Sequence, residues 1–336
     1  MGNYRQRLSD IRAGAIGYCE LGAAPTPMVE SRPDGKTVLD GKQTLPDKTV
    51  APVESCPDKR WGMFATGYGQ GVNVDDDESN NVHGYDIMTG GFSTGFDALV
   101  TRNFAIGIGG GYASSTADLV NDGQVDVETA YVATYATFFM GGFYVDGAAS
   151  FGWNSIDTSR LGFGGIEDGS TNGSEFNGTI GAGYDWKTHC WTIGPFATFH
   201  YTYVEFDSFD ESGGSVAPLH FPDQNQDAER GAIGLKVAYD MTRGNIIFRP
   251  EVRAAFQHEF NNTDYAIDWS FRDISDDHIC DVFGPSTGRD SALVDAGFSL
   301  ILGKCHNVSV FAFYSGNIGR DNDTRHGGNG GLRLSF

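Results

Sequence analysis

Histidine and carboxylate side chains are the residues of this chain that could carry out acid–base catalysis. The triplet Asp276-Asp277-His278 has the residue types of a hydrolytic centre. Such a triplet is far more common in a solvated loop, and no G-x-S-x-G nucleophile motif accompanies it. We therefore expect no enzymatic activity and no cofactor.

Cysteines could bind a metal or form disulfides. The five cysteines are Cys19, Cys56, Cys190, Cys280 and Cys305, and none belongs to a C-x-x-C pair. Zinc sites are usually recognised by such close pairs, so we expect no metal site. In an oxidising compartment Cys19 could pair with Cys56, and at least one of the five thiols must stay unpaired.

The composition excludes some partners and one kind of membrane anchor. The formal net charge is −21, and phosphate contacts need clustered Lys and Arg, so we expect no nucleic acid partner. No run of about 18 apolar residues is present, as a transmembrane helix requires. The 47 glycines and 13% aromatic residues favour strands over a helical core.

Apolar and polar residues alternate through most of the chain from Trp61 onward. In one such run, Phe143 and Phe151 share a face, while Asp146 and Asn154 lie on the other. A period of two predicts strands, and runs of about ten residues are long enough to cross a bilayer when tilted. Strands of a soluble sandwich are usually shorter, so the pattern favours a transmembrane barrel.

The connections support the same conclusion. The joints after the even-numbered strands are tight, whereas the other joints are mostly long. Outer-membrane barrels have tight periplasmic turns and long external loops. We therefore predict an all-β, antiparallel transmembrane barrel of about twelve strands over residues 61–336, embedded in outer-membrane lipids. The predicted strands lie near 61–71, 85–100, 104–116, 126–139, 142–156, 174–187, 190–206, 229–241, 245–260, 290–303, 307–319 and 326–336.

The residues before Trp61 differ from the strand region in composition and in the spacing of apolar residues. Residues 1–17 show helical spacing of Tyr4 and Leu8 among polar residues, with too little apolar surface to fold alone. Residues 18–60 carry most of the prolines and predict an irregular linker. No signal peptide opens the chain, so we expect these residues to be the C-terminal part of a longer precursor.

Several short motifs, in order from about Arg7 to Phe336, give the chain a family resemblance. It resembles the autotransporter β-domain, the C-terminal translocator of type V secretion proteins. No single motif is specific, but their order covers nearly the whole chain. The motifs are Arg7-Leu8-Ser9-Asp10-Ile11-Arg12, Arg60-Trp61-Gly62, Gly90-Gly91-Phe92, Gly141-Gly142-Phe143-Tyr144-Val145-Asp146, Gly183-Tyr184-Asp185, Pro250-Glu251-Val252-Arg253 and the closing Gly331-Leu332-Arg333-Leu334-Ser335-Phe336.

The resemblance implies a monomeric twelve-stranded barrel with the helix in its pore. It implies a passenger domain before the helix that is exported or displayed at the cell surface. It also implies recognition of the last strand by the barrel-assembly machinery, with periplasmic chaperones as further partners. The resemblance assigns this assembly signal to Gly331, Leu332, Leu334 and Phe336.

Charged residues at inward strand positions would line the pore, where water or a helix can solvate them. We expect them to pair with Arg5, Arg7, Asp10 and Arg12 of the helix, and a water-filled lining without specific partners is the alternative. The expected lining residues are Asp146, Asp185, Lys236, Asp240, Arg249, Glu251, Arg253 and Asp295.

Two features depart from the family pattern. The linker 18–60 is unusually long and rich in proline. Some family members cleave the passenger at an Asn-Asn pair in the helix; residues 1–20 contain none, so we expect no cleavage there. A channel or a loop-mediated adhesin is the alternative function, and the length of the precursor upstream of Asn3 would discriminate between them.

Overall fold

A computed structural model describes residues 2–16, 59–77, 82–214, 216–261, 266–273, 279–303 and 305–336. The α-helix α1 (Gly2–Ile16) comes first. Among the described residues, no helix is both long and apolar enough to cross a membrane. The long strands are β1 (Trp61–Val74), β2 (Tyr85–Thr101), β3 (Phe104–Asp118), β4 (Gln124–Met140), β5 (Phe143–Leu161), β6 (Ile166–Tyr184), β7 (Trp191–Phe206), β8 (Gln224–Tyr239), β9 (Ile246–Glu259), β10 (Asp290–Leu302), β11 (Val308–Arg320) and β12 (Asp323–Ser335).

The twelve strands form a closed antiparallel barrel. Each strand pairs with its neighbours in the chain, and β12 pairs with β1 in a register that runs from Gly62↔Ser335 to Val74↔Asp323. Closure leaves no free edge, as the hydrocarbon of a bilayer demands, because unpaired backbone groups there find no water. The prediction of a twelve-stranded antiparallel barrel is confirmed.

The burial of side chains is the reverse of that in a soluble protein. On the outer surface Ile233 is 65% exposed and Val252 is 51% exposed, whereas inward-facing Lys236 and Arg249 are 1% and 4% exposed. The outer surface is therefore the apolar one, and it faces lipid. The alternation predicted from the sequence thus divides a lipid face from a polar lumen.

Aromatic side chains gather on the outer surface near the tight turns. Trp61, Phe143, Trp186, Trp191 and Phe336 are all at least 43% exposed, and all lie within a few residues of a strand end on this side. Tryptophan and other aromatic rings prefer the interface between hydrocarbon and water. This belt marks one boundary of the membrane.

Short joints follow the even-numbered strands, as predicted, but the outer joints are not all long, since only residues 321–322 separate β11 from β12. Tight turns join β2 to β3 and β4 to β5, and Gly141 and Gly244 adopt the left-handed φ values of 63° and 62° that such turns require. Short strands extend the ladder on this side, at Trp186–Thr188 and Met241–Arg243.

One predicted loop, 157–173, is mostly strand. β5 and β6 continue pairing as far as Leu161↔Ile166 and leave only residues 162–165 as the connection. Outside the membrane both faces of a hairpin are solvated, so the apolar alternation that reveals a strand disappears while the backbone pairing continues. Further short strands in the long connections are Phe209–Asp210, Ser212–Gly213, Leu219–Phe221, Ala266–Phe271 and Cys280–Phe283.

The assignment of the two barrel faces predicts opposite responses to an added charge. Leu235 is 58% exposed on the lipid face of β8, and Leu235→Arg should lower the free energy of unfolding in lipid vesicles by about 2–4 kcal/mol. Ala232 lines a wide polar cavity, so Ala232→Arg should cost less. Equal losses in urea titrations of the two variants would contradict the assignment.

Candidate functional site

The helix α1 lies inside the barrel and packs against its wall through an aromatic cluster. Tyr4 and Leu8 are 2% and 1% exposed and contact Phe64 on β1 and Tyr135 on β4. The ring of Tyr4 lies 5.9 Å from that of Phe64 and 5.2 Å from that of Tyr135, measured between centroids. These few apolar residues fix the position of the otherwise polar helix against the barrel wall.

Glycines in the wall make room for this cluster. A Cβ atom built on Gly95 of β2 would lie 2.6 Å from Cε1 of Phe64, and one built on Gly107 of β3 would overlap the ring of Tyr135. Any larger residue at either position would displace a ring. The aromatic side chains therefore lie against bare backbone, which leaves space for the helix.

Two arginines in the first half of α1 pair with aspartates of the wall. Arg7 donates from Nε and Nη2 to the two carboxylate oxygens of Asp97 on β2, at 2.6 and 2.7 Å. Arg5 donates from Nη2 to Asp295 on β10 at 2.6 Å. The first pair is buried and bidentate, a strong arrangement, whereas the Arg5 side chain is 29% exposed.

Two further ion pairs hold the second half of α1. Arg12 donates to Asp146 on β5, and Asp10 pairs with Arg333 on β12. The guanidinium of Arg333 also lies 3.6 Å from the centre of the Phe311 ring. The four ion pairs reach four different strands, so they fix both the height and the rotation of the helix.

The structure places Asp146 and Asp295 against the helix, whereas the other six predicted lining residues pair with one another. Four charged helix side chains cannot neutralise eight wall charges, and a buried charge without a partner is costly. Pairing within the wall satisfies the remainder. The pairs are Lys236 with Asp185 at 2.7 Å, Arg249 with Asp240 at 2.8 Å, and Arg253 with Glu251 at 2.7 Å.

Sequence reasoning missed the partners Asp97 and Arg333. The signal was present in the phase of the alternation. Leu332 and Leu334 face lipid, which turns Arg333 inward, and the exposed Phe92 and Phe96 set a phase on β2 that turns Asp97 inward as well. Which helix charge each would meet depends on the rotation of α1, which no strand pattern contains.

The lumen is filled by the helix on the tight-turn side and open on the other. A cavity of about 570 Å³ begins at Tyr4 and Arg5 and is lined by polar groups that include Glu175, His200 and Arg230. Among the described residues, no group of three or more His, Cys, Asp or Glu side chains could hold a metal ion. The cavity is a polar vestibule beyond the first residues of the helix.

The cysteines are placed only in part. The proposed pairing of Cys19 with Cys56 lies outside the described residues, as does most of the predicted linker. Cys190 and Cys305, both in tight turns, are disulfide-bonded. The thiol of Cys280 is free and exposed.

A closed barrel with a lipid-facing apolar surface and a charged lumen occupied by a helix defines an integral outer-membrane protein. The family model described as the autotransporter beta-domain matches residues 63–315. The chain belongs to this family and is an outer-membrane translocator barrel. Its tight turns accordingly lie on the periplasmic side, and its long loops lie at the cell surface.

Known proteins agree with this assignment. The chain is 22% identical over 295 residues to the extracellular serine protease of Serratia marcescens, a match that covers 86% of this chain and 27% of that protein. The translocator domain of NalP from Neisseria meningitidis superposes with a TM-score of 0.67 at 15% identity, covering 82% of this chain and 89% of that one. The beta domain of the Bordetella autotransporter BrkA gives 0.61 at 18% identity, covering 82% and 100%.

The share of each relative that is matched shows which part of that relative this chain resembles. The chain spans about a quarter of the length of the curated serine protease, whereas it covers nearly all of the two solved barrel domains. The translocator domain is the non-catalytic part of an autotransporter.

The ion pair of Arg12 with Asp146 should hold the last turn of α1. Asp146→Asn leaves a buried guanidinium without its carboxylate and should cost about 3 kcal/mol, equivalent to about a hundredfold faster amide exchange in that turn. The matched control is Asp240→Asn, because Asp240 pairs with Arg249. The role of Asp146 is refuted if both variants leave exchange in the last turn unchanged.

Proposed function

We propose that this chain anchors in the outer membrane and exports or displays a passenger joined before α1, as in type Va secretion. The observation that carries the proposal is the direction of the helix. Arg12 lies near the periplasmic turns, beside Asp146 at the start of β5, while Tyr4 and Arg5 reach the outward vestibule. A chain that precedes Gly2 therefore has a polar route to the cell surface.

The ion pairs between helix and wall resist extraction of the helix from the barrel. A pull on a displayed passenger acts on the first residues of α1, where Arg5 and Arg7 hold Asp295 and Asp97. Because Arg7 and Asp97 are almost completely buried, extraction of the helix must expose or separate charges that are already paired. The same occupied lumen argues against a channel for solutes.

A reporter fused before Gly2 tests this proposal. An epitope-tagged domain in that position, in a chain given a signal peptide, should be digested when protease is added to intact cells. The matched control carries the same epitope at Gly244, in a tight periplasmic turn, and should be digested only after lysis. A reporter that resists protease on intact cells while the barrel is assembled would rule out the proposal.

We further propose that the last strand is the assembly signal. Leu332 and Phe336 are 54% and 58% exposed on the lipid face, with Leu334 between them. A Cβ atom on Gly331 would overlap the carbonyl oxygen of Ala65 on β1, so glycine allows the close approach of β12. Before closure this strand is an edge whose backbone can template pairing, which suits recognition by the barrel-assembly machinery after delivery by periplasmic chaperones. A monomer suffices for this function.

Two aromatic substitutions distinguish a role of Phe336 in assembly from a role in stability alone. Phe336→Ala and Phe143→Ala each remove about 1.5–3 kcal/mol of apolar lipid contact near the same membrane boundary. Only Phe336→Ala should lower the amount of folded barrel in outer-membrane fractions several-fold, measured by its heat-modifiable migration in gels. An equal decrease in both variants would show that Phe336 contributes only packing.

A further inference from the structure

The pairing of β1 with β12, called the seam below, is poor in side-chain contacts through its middle. Five of its six central pairs contain glycine, and two pair glycine with glycine. Since cross-strand side-chain pairs supply much of the stability of a sheet, this stretch depends mainly on its backbone. The six pairs are Thr66↔Gly331, Gly67↔Gly330, Tyr68↔Asn329, Gly69↔Gly328, Gln70↔Gly327 and Gly71↔His326.

The neighbouring pairing of β11 with β12 is as rich in glycine as the seam, because it uses the same glycines of β12, whereas the pairing of β4 with β5 is not. At comparable depth, β4 and β5 pair Val132 with Phe151. At the outer end of the seam, the backbone N–H of Asp75 donates to the carbonyl oxygen of Asn322 at 3.0 Å. The periplasmic end of the seam lies beside α1.

Arg7 of the helix spans β1 to reach β2. A Cβ atom built on Gly62 would overlap both Nη2 of Arg7 and the carboxylate of Asp97. The guanidinium therefore passes directly over the bare backbone of β1. Through this buried pair, the helix is held to β2, the neighbour of β1 on the side away from β12.

Asp10 fastens the helix to the other side of the seam. It lies three residues after Arg7, on the same face of α1, and pairs with Arg333 on β12. The Arg333 side chain is 2% exposed, and Arg333 is in register with Phe64 of β1. Without Asp10 its charge would be left buried beside the seam, which is strongly unfavourable.

We propose that α1 closes the barrel by clamping the seam, with Arg7 holding β2, Asp10 holding β12 and β1 between them. Closure of the seam brings Arg333 and Asp97 to the places where the helix neutralises them. Docking of α1 and closure of the seam therefore stabilise each other, as linkage requires. A barrel with an undocked helix retains a weak, glycine-rich seam, and this inference holds whether or not a passenger is exported.

Amide hydrogen exchange tests the clamp, with the purified full chain in lipid vesicles. In Asp10→Asn, exchange at residues 66–71 and 326–331 should rise about tenfold or more, while β4 stays unchanged. The matched control is Asp295→Asn, which removes the helix pair of Arg5 on β10, two strands from β12, and should leave seam exchange within about twofold. A similar rise in both variants would overturn the proposal.

A charge swap separates the ion pair from a merely structural role. Asp10→Lys combined with Arg333→Glu restores opposite charges and should return seam exchange toward that of the unchanged chain. A swapped chain that behaves like Asp10→Asn overturns the clamp.

If Asp10→Asn yields no folded barrel, Asp97→Asn replaces it, with Asp146→Asn as its control. Faster seam exchange in Asp97→Asn alone supports the clamp, and any other result overturns it. Because the measurement uses the barrel without a passenger, its failure leaves the display experiment unaffected.

Discussion

The hydrogen bonding of the backbone inside a bilayer is the constraint on which this structure depends. Hydrocarbon offers no partner to an N–H or C=O group, so strands can cross the membrane only as a closed ring. Closure requires β12 to pair with β1, and it creates an interior that lipid cannot fill. Apolar residues therefore face outward, and the polar residues of the same strands enclose the lumen.

The charges on the lumen wall in turn determine which helix can occupy the lumen. Its walls carry charges such as Asp97 and Arg333 that become buried when the helix excludes water. Each therefore needs an opposite charge, which Arg7 and Asp10 supply. Wall charges that have no ion-pair partner on the helix are paired among themselves, as Arg253 is with Glu251. Helix and wall are complementary in charge, and wall glycines make them complementary in shape.

The same contacts connect transport with integrity of the barrel. A helix directed from the periplasmic turns to the outward vestibule gives a preceding passenger its route and its anchor. That helix also bridges the strands on either side of β1, where a seam rich in glycine has little cohesion of its own. Under the clamp proposed above, closure of the barrel depends on the docked helix as well as on the pairing of β1 with β12.

The sequence alone determined the number of strands, their faces and the positions of the tight periplasmic turns, because a period of two and the length of a membrane crossing are local properties. It also marked Asp146 and Arg253 as inward-facing charges. It could not show that β5 and β6 continue into the solvent, where both faces of a hairpin are wet. Only the tertiary structure decided that Arg7 meets Asp97 across Gly62, and that Asp10 meets Arg333. Those contacts join residues about 90 and 320 positions apart in the chain, and they depend on how the helix is rotated within the closed barrel, which no local pattern encodes.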